Sequence, residues 1–269
     1  MPPVISIIIP CYNSGAYLQD ALESIKDYPH KNNYEVIIIN DGSTDDNTLT
    51  LLHQLHIDGY TVLHQENKGP AAARNTGIKF SSGRYLLFLD SDNKIRSAYI
   101  EKGIKVLDAF KEVGIVYGNP SFFGDSSELR FVTGEFDIYK MLNQNYIDIC
   151  SVIRKKVFDQ VGGFDEERTL IGHEDWDFWI RANRAGFKFH YIQETLFDYR
   201  VTHDSLIRQA SQPARLQKVL QYIYQKHVDI YVRHYKGLHQ RYVYYQHDRE
   251  KPFRSLFKFY FLRYFSKSK

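Results

Sequence analysis

Apolar runs alternate with helical patterns through the first half of the chain. Val4-Ile5-Ser6-Ile7-Ile8-Ile9 is rich in β-branched residues and reads as a buried strand. Pro10-Cys11-Tyr12-Asn13-Ser14-Gly15 ends it, and Leu18, Ala21, Leu22 and Ile25 then share one face of a helix over about Tyr17–Asp27. The alternation repeats as a strand at Tyr34–Ile39, a polar stretch at Asn40–Asp46 and a helix over about Asn47–Leu55. It repeats again as a strand at Tyr60–His64, a helix over about Pro70–Phe80 after Gly69, and a strand from Arg84 that stops at Asp90. Strand–helix alternation with continuously apolar strands predicts a mostly parallel sheet covered by helices on both faces. Ligands of such sheets bind beyond the carboxyl ends of the strands, so Pro10–Asn13, Asn40–Asp46 and Asp90–Asn93 are expected to meet on one rim.

The second half is less regular. Val113–Tyr117 predicts a strand, Phe122–Phe136 reads as a hairpin or a loop, and Gly162–Glu167 is rich in turn residues. Glu174-Asp175-Trp176-Asp177 opens a helix that should end near Gly186, with a strand at Phe187–Tyr191 after it. Beyond about residue 208, Leu216, Val219, Leu220, Ile223, Tyr224, Val228, Tyr231 and Tyr235 recur at helical spacing after Ser211 and Pro213. The organisation expected is a body over 1–208, divided at about 95/96, and a helical extension over 209–269. No internal repeat or low-complexity segment appears.

Composition changes this picture little, except at the tail. The chain has 269 residues, 43% of them hydrophobic, enough for one large α/β domain with an appendage. Its formal net charge of +3 is unevenly spread. Residues 249–269 carry seven Lys and Arg against Glu250, a net of +6, and the other 248 residues carry a net of −3. Two cysteines, Cys11 and Cys150, lack metal-ligand spacing and make no disulfide framework, which favours a reducing, cytoplasmic setting. Val4–Ile9 is too short and lacks the basic flank of a signal peptide, and no apolar run approaches the roughly 18 residues of a spanning helix.

Candidate chemistry begins at Asp90 and Asp92. In extended chain, residues i and i+2 face the same side, so the two carboxylates address one spot. Hard divalent cations take such oxygen ligands and bridge them to substrate phosphates. Two turn acids ending a strand are the plainer reading of Asp-x-Asp alone. The acids at Glu174, Asp175 and Asp177 likewise read on spacing alone either as helix caps or as catalytic carboxylates. A helix N-terminus there would favour the ionised form of Asp175.

The company of these motifs makes the chain resemble the inverting glycosyltransferases of family 2, which have the GT-A fold. The resemblance runs over about residues 4–205. It rests on Val4–Asn13 with its Pro-x-Tyr-Asn ending, Asn40-Asp41-Gly42-Ser43-Thr44-Asp45, Asn67-Lys68-Gly69-Pro70-Ala71-Ala72-Ala73-Arg74-Asn75, Asp90/Asp92 and Glu174-Asp175-Trp176-Asp177, in that order. It implies a GT-A mostly parallel sheet flanked by helices, a nucleotide-binding half over 1–95, an acceptor-binding half over 96–208, and transfer of a sugar from a nucleotide-sugar donor, UDP-linked by expectation. Pro10, Tyr12, Asp41, Lys68, Arg74, Asp90 and Ser91 are thereby assigned to the nucleotide. Asp41 would accept from the pyrimidine N–H, as an acceptor-only carboxylate can. An Asx-turn before Gly42 is the competing reading of Asp41, buried packing that of Tyr12, and surface solvation that of Lys68 and Arg74. Asp90, Asp92 and His203 are assigned to Mn²⁺ or Mg²⁺, although one histidine among 11 is more often a core or surface residue. Asp175 is assigned as the base, with Asp177 second, Glu174 as a supporting or acceptor-binding group, and Trp176 to the acceptor. A non-catalytic nucleotide-sugar-binding protein of the same fold is the alternative. A nucleotidyltransferase would need a glycine-rich phosphate loop, which is absent.

Phe253–Phe265 interleaves aromatics with cations. Lys251, Arg254 and Lys258 align on one helical face, and Arg263 falls opposite. Peripheral contact of 249–269 with the cytoplasmic face of a membrane, docking on its own domain and contact with a second subunit in a homo-oligomer all suit this pattern. Nucleic acid suits it poorly, since basic patches for that purpose extend over a fold face. The acceptor expected is a glycan or lipid-linked saccharide.

Overall fold

The computed structural model describes residues 2–30, 33–128, 131–202 and 212–250. The chain divides into two compact units, Met1–Ile223 and Tyr224–Lys269.

The first unit follows the alternating pattern. Strands β1 (Ile5–Cys11), β2 (Tyr34–Asp41), β3 (Thr61–Gln65) and β4 (Tyr85–Phe88) alternate with helices α1 (Gly15–Lys26), α2 (Asp46–Ile57) and α3 (Pro70–Phe80). Then come β5 (Lys94–Ile95), α4 (Ala98–Ala109), β6 (Val113–Gly124), α5 (Ile138–Asn143), β7 (Val152–Arg154), α6 (Lys155–Val161), α7 (Glu174–Arg184) and β8 (Lys188–Val201). Helix α8 (Pro213–Lys226) begins in this unit, and α9 (Val228–Glu250) lies in the second.

Eight strands, among the described residues, form one sheet in the order β3-β2-β1-β4-β7-β6-β8-β5. The pairs β1–β2, β1–β4, β2–β3 and β6–β8 are parallel, and β4–β7, β6–β7 and β5–β8 are antiparallel. β1 sits at the centre of the nucleotide-side half because its isoleucines have nowhere else to go: Ile5, Ile7, Ile8 and Ile9 are all fully buried. The Ile8-to-Phe88 pairing sets the register that ends β1 and β4 side by side. The loops after β1, β2 and β4 therefore open on the same rim.

The second half departs from the sequence-based expectation in length. β6 continues through Phe122 and Phe123 to Gly124, where a hairpin or loop was expected to begin at Phe122. β8 runs 14 residues and pairs with β6 along its length through several register shifts. Such shifts break the period of two that makes a strand readable.

Two attachments fix α8 to the first unit. Arg215 Nη2 donates to the Ile171 carbonyl at 3.1 Å, and the Tyr222 hydroxyl donates to Asp165 Oδ2 at 2.7 Å. In the second unit, Tyr224 and Tyr231 meet edge to face with ring centroids 4.9 Å apart, and Tyr235, Tyr242, Tyr244 and Tyr245 are exposed along α9. The helical pattern read as continuous from Leu216 breaks between Lys226 and Val228. No described helix is long and apolar enough to cross a membrane.

Candidate active site

A cavity of about 990 Å³ opens at the carboxyl ends of β1, β2 and β4. Its walls include Pro10, Tyr12, Asp41, Arg74, Asp90, Ser91, Asp92, Glu174, Asp175 and Trp176, residues drawn from all five motifs. The exposed Lys68 side chain stands outside the wall; its backbone N–H, not its ammonium, takes part by donating to Asp41 Oδ1 at 3.0 Å. His203 lies outside the described residues.

The nucleotide-side wall is built by backbone constraint. Gly42 has φ +72°, and a Cβ there would meet the Asn67 backbone nitrogen at 2.7 Å, so the turn after β2 needs glycine. That close approach brings the 65–69 loop onto Asp41, which accepts from Gln65 Nε2 at 2.7 Å, Lys68 N at 3.0 Å and Gly69 N at 2.8 Å. An ionised carboxylate offers about four acceptor sites, so these three bonds leave capacity for one further donor. Asp41 is thus more than an Asx-turn residue: it fixes a second loop and still lines the cavity. Tyr12 is 50% exposed, which removes the buried-packing reading of this ring.

Arg74 occupies the middle of the site. It is 4% exposed, projects from α3, and donates through Nη2 to Asp90 Oδ1 at 2.6 Å and through Nη1 to Glu174 Oε1. Burial alone would lower its pKa; the charges of Asp90 and Glu174 outweigh burial and hold it above its ordinary value. Glu174 also accepts from the Gly172 backbone N–H at 2.7 Å. These bonds commit Glu174 to support Arg74. Trp176 is 2% exposed, and its indole N–H donates to the Met141 carbonyl at 2.6 Å, so its polar atom serves the wall itself.

Acids dominate the cavity. Asp41, Asp90, Asp92, Asp148, Glu174 and Asp175 face two arginines, Arg74 and Arg200. The crowding shows in the proton affinities of Asp92, Asp148 and Asp175. Burial, followed by the charge of Asp90, pushes the Asp92 carboxyl up to about 7. The same two causes push Asp148 up to about 7. Asp175 is raised well above the usual carboxylate range by burial first, then by Glu174 and Asp148. This corrects the expectation that the helix N-terminus would keep Asp175 ionised, since the dipole of one helix end is outweighed by desolvation and two neighbouring acids. Asp175 is held by Asn145 Nδ2 donating to Oδ2 at 2.8 Å and by the Trp176 N–H donating to Oδ1 at 2.8 Å.

The donor set fits a hard divalent cation. Among the described residues no three His, Cys, Asp or Glu side chains form a complete cage. Two adjacent carboxylates, Asp90 and Asp92, are however the usual protein share of a Mg²⁺ or Mn²⁺ site whose other ligands are phosphate oxygens and water. An acid-lined wall repels a diphosphate unless a cation stands between them, and the Asp90 charge, after burial, adds to the rise of the Asp92 pKa, as two carboxylates that repel each other would.

Sequence reasoning missed Asp148, Arg200 and the contribution of α8, whose Leu216 and Leu220 reach the cavity wall. Asp148 stands in a stretch without strand or helix period. Arg200 acts 108 positions from the loop it touches, a distance no local pattern reveals.

Comparison with known proteins agrees with this geometry. The profile of glycosyl transferase family 2 matches residues 6–162, and that of the N-terminal domain of galactosyltransferase matches 137–204. The chain is 30% identical over 234 residues to the glycosyltransferase GlyG of Streptococcus pneumoniae, covering 77% of this chain and 74% of that one. It is 28% identical over 208 residues to the putative teichuronic acid biosynthesis glycosyltransferase TuaG of Bacillus subtilis, covering 76% and 81%. Among solved structures, S. aureus TarS 1–349 in complex with UDP-GlcNAc superposes with a TM-score of 0.67 at 20% identity, covering 83% of this chain and 65% of that one. The mannosyltransferase PcManGT of Pyrobaculum calidifontis, in complex with GDP-Man and Mn²⁺, gives a TM-score of 0.57 at 18% identity, covering 83% and 70%.

Proposed function

The chain belongs to glycosyl transferase family 2, and from that premise we propose that it is a metal-dependent, inverting transferase moving a sugar from a UDP-sugar to a hydroxyl of a glycan or lipid-linked saccharide. The observation that carries this reading is the meeting of Asp41, the Asp90/Asp92 pair and the half-buried Asp175 in one cavity. The UDP-GlcNAc held by TarS and the GDP-Man and Mn²⁺ held by the Pyrobaculum mannosyltransferase support a nucleotide-sugar and a divalent cation here.

In this reading Tyr12 and the Pro10 backbone flank the base, Asp41 accepts its ring N–H, and Asp90 with Ser91 borders the ribose and diphosphate. Asp90 and Asp92 hold Mn²⁺ or Mg²⁺, with His203 as a further ligand. When bound, the cation supplies Lewis-acid neutralisation of charge on the departing diphosphate. The acceptor hydroxyl attacks the anomeric carbon opposite the leaving group. Its oxygen forms the new bond as the bond from that carbon to the phosphate oxygen breaks, and its proton passes to Asp175. Each Asp175 oxygen keeps acceptor capacity after its one hydrogen bond. The transfer needs Asp175 ionised, so its raised pKa makes the rate climb with pH. Glu174 acts by fixing Arg74, and Trp176 shapes the acceptor side. A body over 1–208 with an extension over 209–269, peripheral contact of 249–269 with the cytoplasmic face of a membrane, and a homo-oligomer as the competing use of the tail complete the proposal. Residues 251–269 lie outside the described residues.

The test is release of nucleoside diphosphate from UDP-, GDP- and dTDP-sugars with Mn²⁺ or with EDTA. Metal-dependent release from one donor class is expected. Asp92→Asn should abolish metal-dependent donor binding; Asp175→Asn should abolish turnover and its rise with pH while UDP still binds. An unchanged rate in Asp175→Asn removes the base assignment. UDP binding without any transfer would favour the non-catalytic alternative, and no nucleotide binding at all would sink the reading.

A further inference from the structure

The loop that carries the two acids is fastened at each of its four residues by groups from distant parts of the chain. Asp90 accepts from Arg74, Ser91 Oγ lies 2.7 Å from Ser14 Oγ beside the start of α1, and Asn93 Oδ1 accepts from the Arg200 backbone N–H at 2.8 Å. Asp92 is fastened through its backbone: its carbonyl accepts from Arg200 Nε at 2.9 Å.

Arg200 is itself held on three sides. Its Nη2 donates to Asp20 Oδ2 on α1 at 2.5 Å, a carboxylate it shares with Lys94 of β5 at 3.1 Å. Its guanidinium lies over the Tyr17 ring at 4.6 Å and over the Phe123 ring at 4.4 Å. Phe123 is also its register partner on β6. The side chain is 14% exposed. A planar fork with two aromatic contacts and two acceptors at fixed angles has little rotational freedom. Lysine cannot reproduce it, because one ammonium on a flexible stem does not span Asp92 and Asp20 as a rigid unit.

Geometry and charge act together here. With its carbonyl turned to Arg200, Asp92 keeps its carboxylate on the cavity wall beside Asp90. The Arg200 charge also offsets part of the repulsion that the two acids place on each other. We propose that Arg200 is a positioning residue that sets the divalent-cation affinity of the Asp90–Asn93 loop by holding the Asp92 backbone, without contacting donor or cation itself. This rests on the metal-dependent reading of the site. Groups outside the ligands that orient a metal site change metal affinity by about 10- to 100-fold when removed.

The experiment uses the full chain. Mn²⁺ affinity is read from the electron paramagnetic resonance of free Mn²⁺, and UDP affinity by calorimetry with Mn²⁺ and with EDTA. Arg200→Gln should weaken Mn²⁺ binding by about 10- to 100-fold and UDP binding in Mn²⁺ in step, with UDP binding in EDTA unchanged. Arg200→Lys should recover only part of the loss. Arg96→Ala, which breaks the exposed Arg96–Asp198 pair on the same β5–β8 seam, should leave all three affinities alone. Mn²⁺ affinity in Arg200→Gln within about twofold of the parent overturns the proposal. So does an equal loss of UDP affinity with and without metal, which would mean direct donor contact or general loosening. Should Arg200→Gln fail to fold, Asp20→Asn removes the outer anchor and should lower Mn²⁺ affinity several-fold; no change there overturns the proposal equally. A parent chain that binds neither Mn²⁺ nor UDP removes the transferase reading and this inference together, whereas a parent that binds both beside an unaffected variant removes this inference alone.

Discussion

Replacing Asp148 by Asn isolates the electrostatic cost of the cavity. Asp148 Oδ1 accepts from the Cys150 backbone N–H at 2.8 Å, and an Asn side chain keeps an acceptor oxygen for that bond while removing the charge. Burial and the charge of Asp90 raise the carboxyl from 3.8 to about 7. The native state therefore keeps this proton up to about pH 7, while the unfolded chain releases it near pH 4. In that window the native state binds more protons, so the parent loses stability as pH rises from about 4 to about 7 and levels off above. At about 1.4 kcal/mol per pH unit the interval sets a ceiling of about 4 kcal/mol. Part of Asp148 faces the open cavity, so a gain of about 1–3 kcal/mol is expected from Asp148→Asn at about pH 8, and none near pH 4. Urea denaturation with EDTA across that pH range reads the difference, and for a unit of this size each kcal/mol moves Tm by about 2–4 °C. Added Mn²⁺ should shrink the gain, because a cation at Asp90 and Asp92 relieves the same repulsion. A variant less stable than the parent at about pH 8, or a gap that does not vary with pH, would refute the account of Asp148 as a carboxyl raised by burial and by the charge of Asp90.

Two further substitutions test the frame around it. Arg74→Ala leaves the buried Glu174 and the half-buried Asp90 without their shared cation and should cost about 3–5 kcal/mol in urea denaturation, with Arg74→Lys recovering one bridge at most; a loss below about 1 kcal/mol would mean that water replaces the guanidinium. Gly42→Ala forces a Cβ to 2.7 Å from the Asn67 nitrogen at φ +72°, and should lower both Tm and UDP affinity by displacing the loop that holds Asp41. Gly59→Ala, at φ +91° with open space around it, should carry backbone strain of about 1 kcal/mol and leave UDP affinity unchanged; equal nucleotide effects in the two variants would remove the loop from the argument.

The nucleotide half was legible because its strands are buried on both faces and therefore continuously apolar. Ile7, Ile8, Ile38 and Ile39 have one place to go, and the polar residues that interrupt them must lie at strand ends. The rim of the site follows from that alone. The second half was legible only in part: the strands from Val113 and Lys188 and the helix from Glu174 could be read, but the full length of the two strands could not. β8 is half-buried along most of its length and slips register against β6, so no period survives in Lys188–Val201. The motif brought Asp175 to the cavity wall, but its proton affinity was misjudged, since the acids that raise it include Asp148, 27 positions earlier in a stretch without pattern. Charge state depends on who else is buried nearby, and that is a property of the fold.

Arg74 shows why the motifs must travel together. It leaves α3 in the nucleotide half and ends between Asp90, at the exit of β4, and Glu174, at the start of α7 beside Asp175. One buried guanidinium is thus shared by the Asp90–Asn93 loop and the helix that begins at Glu174 and Asp175. Removing any member of such a triad strands a buried charge, which is far more costly than the net worth of the intact set. The pairing therefore contributes little to stability as a whole and much to geometry: the distance between Asp90 and the α7 N-terminus cannot change without breaking a bond to Arg74. A transfer that must break one bond at the donor while taking a proton from the acceptor needs that distance fixed. The three motifs lie up to 100 positions apart along the chain, and a single side chain makes them one site.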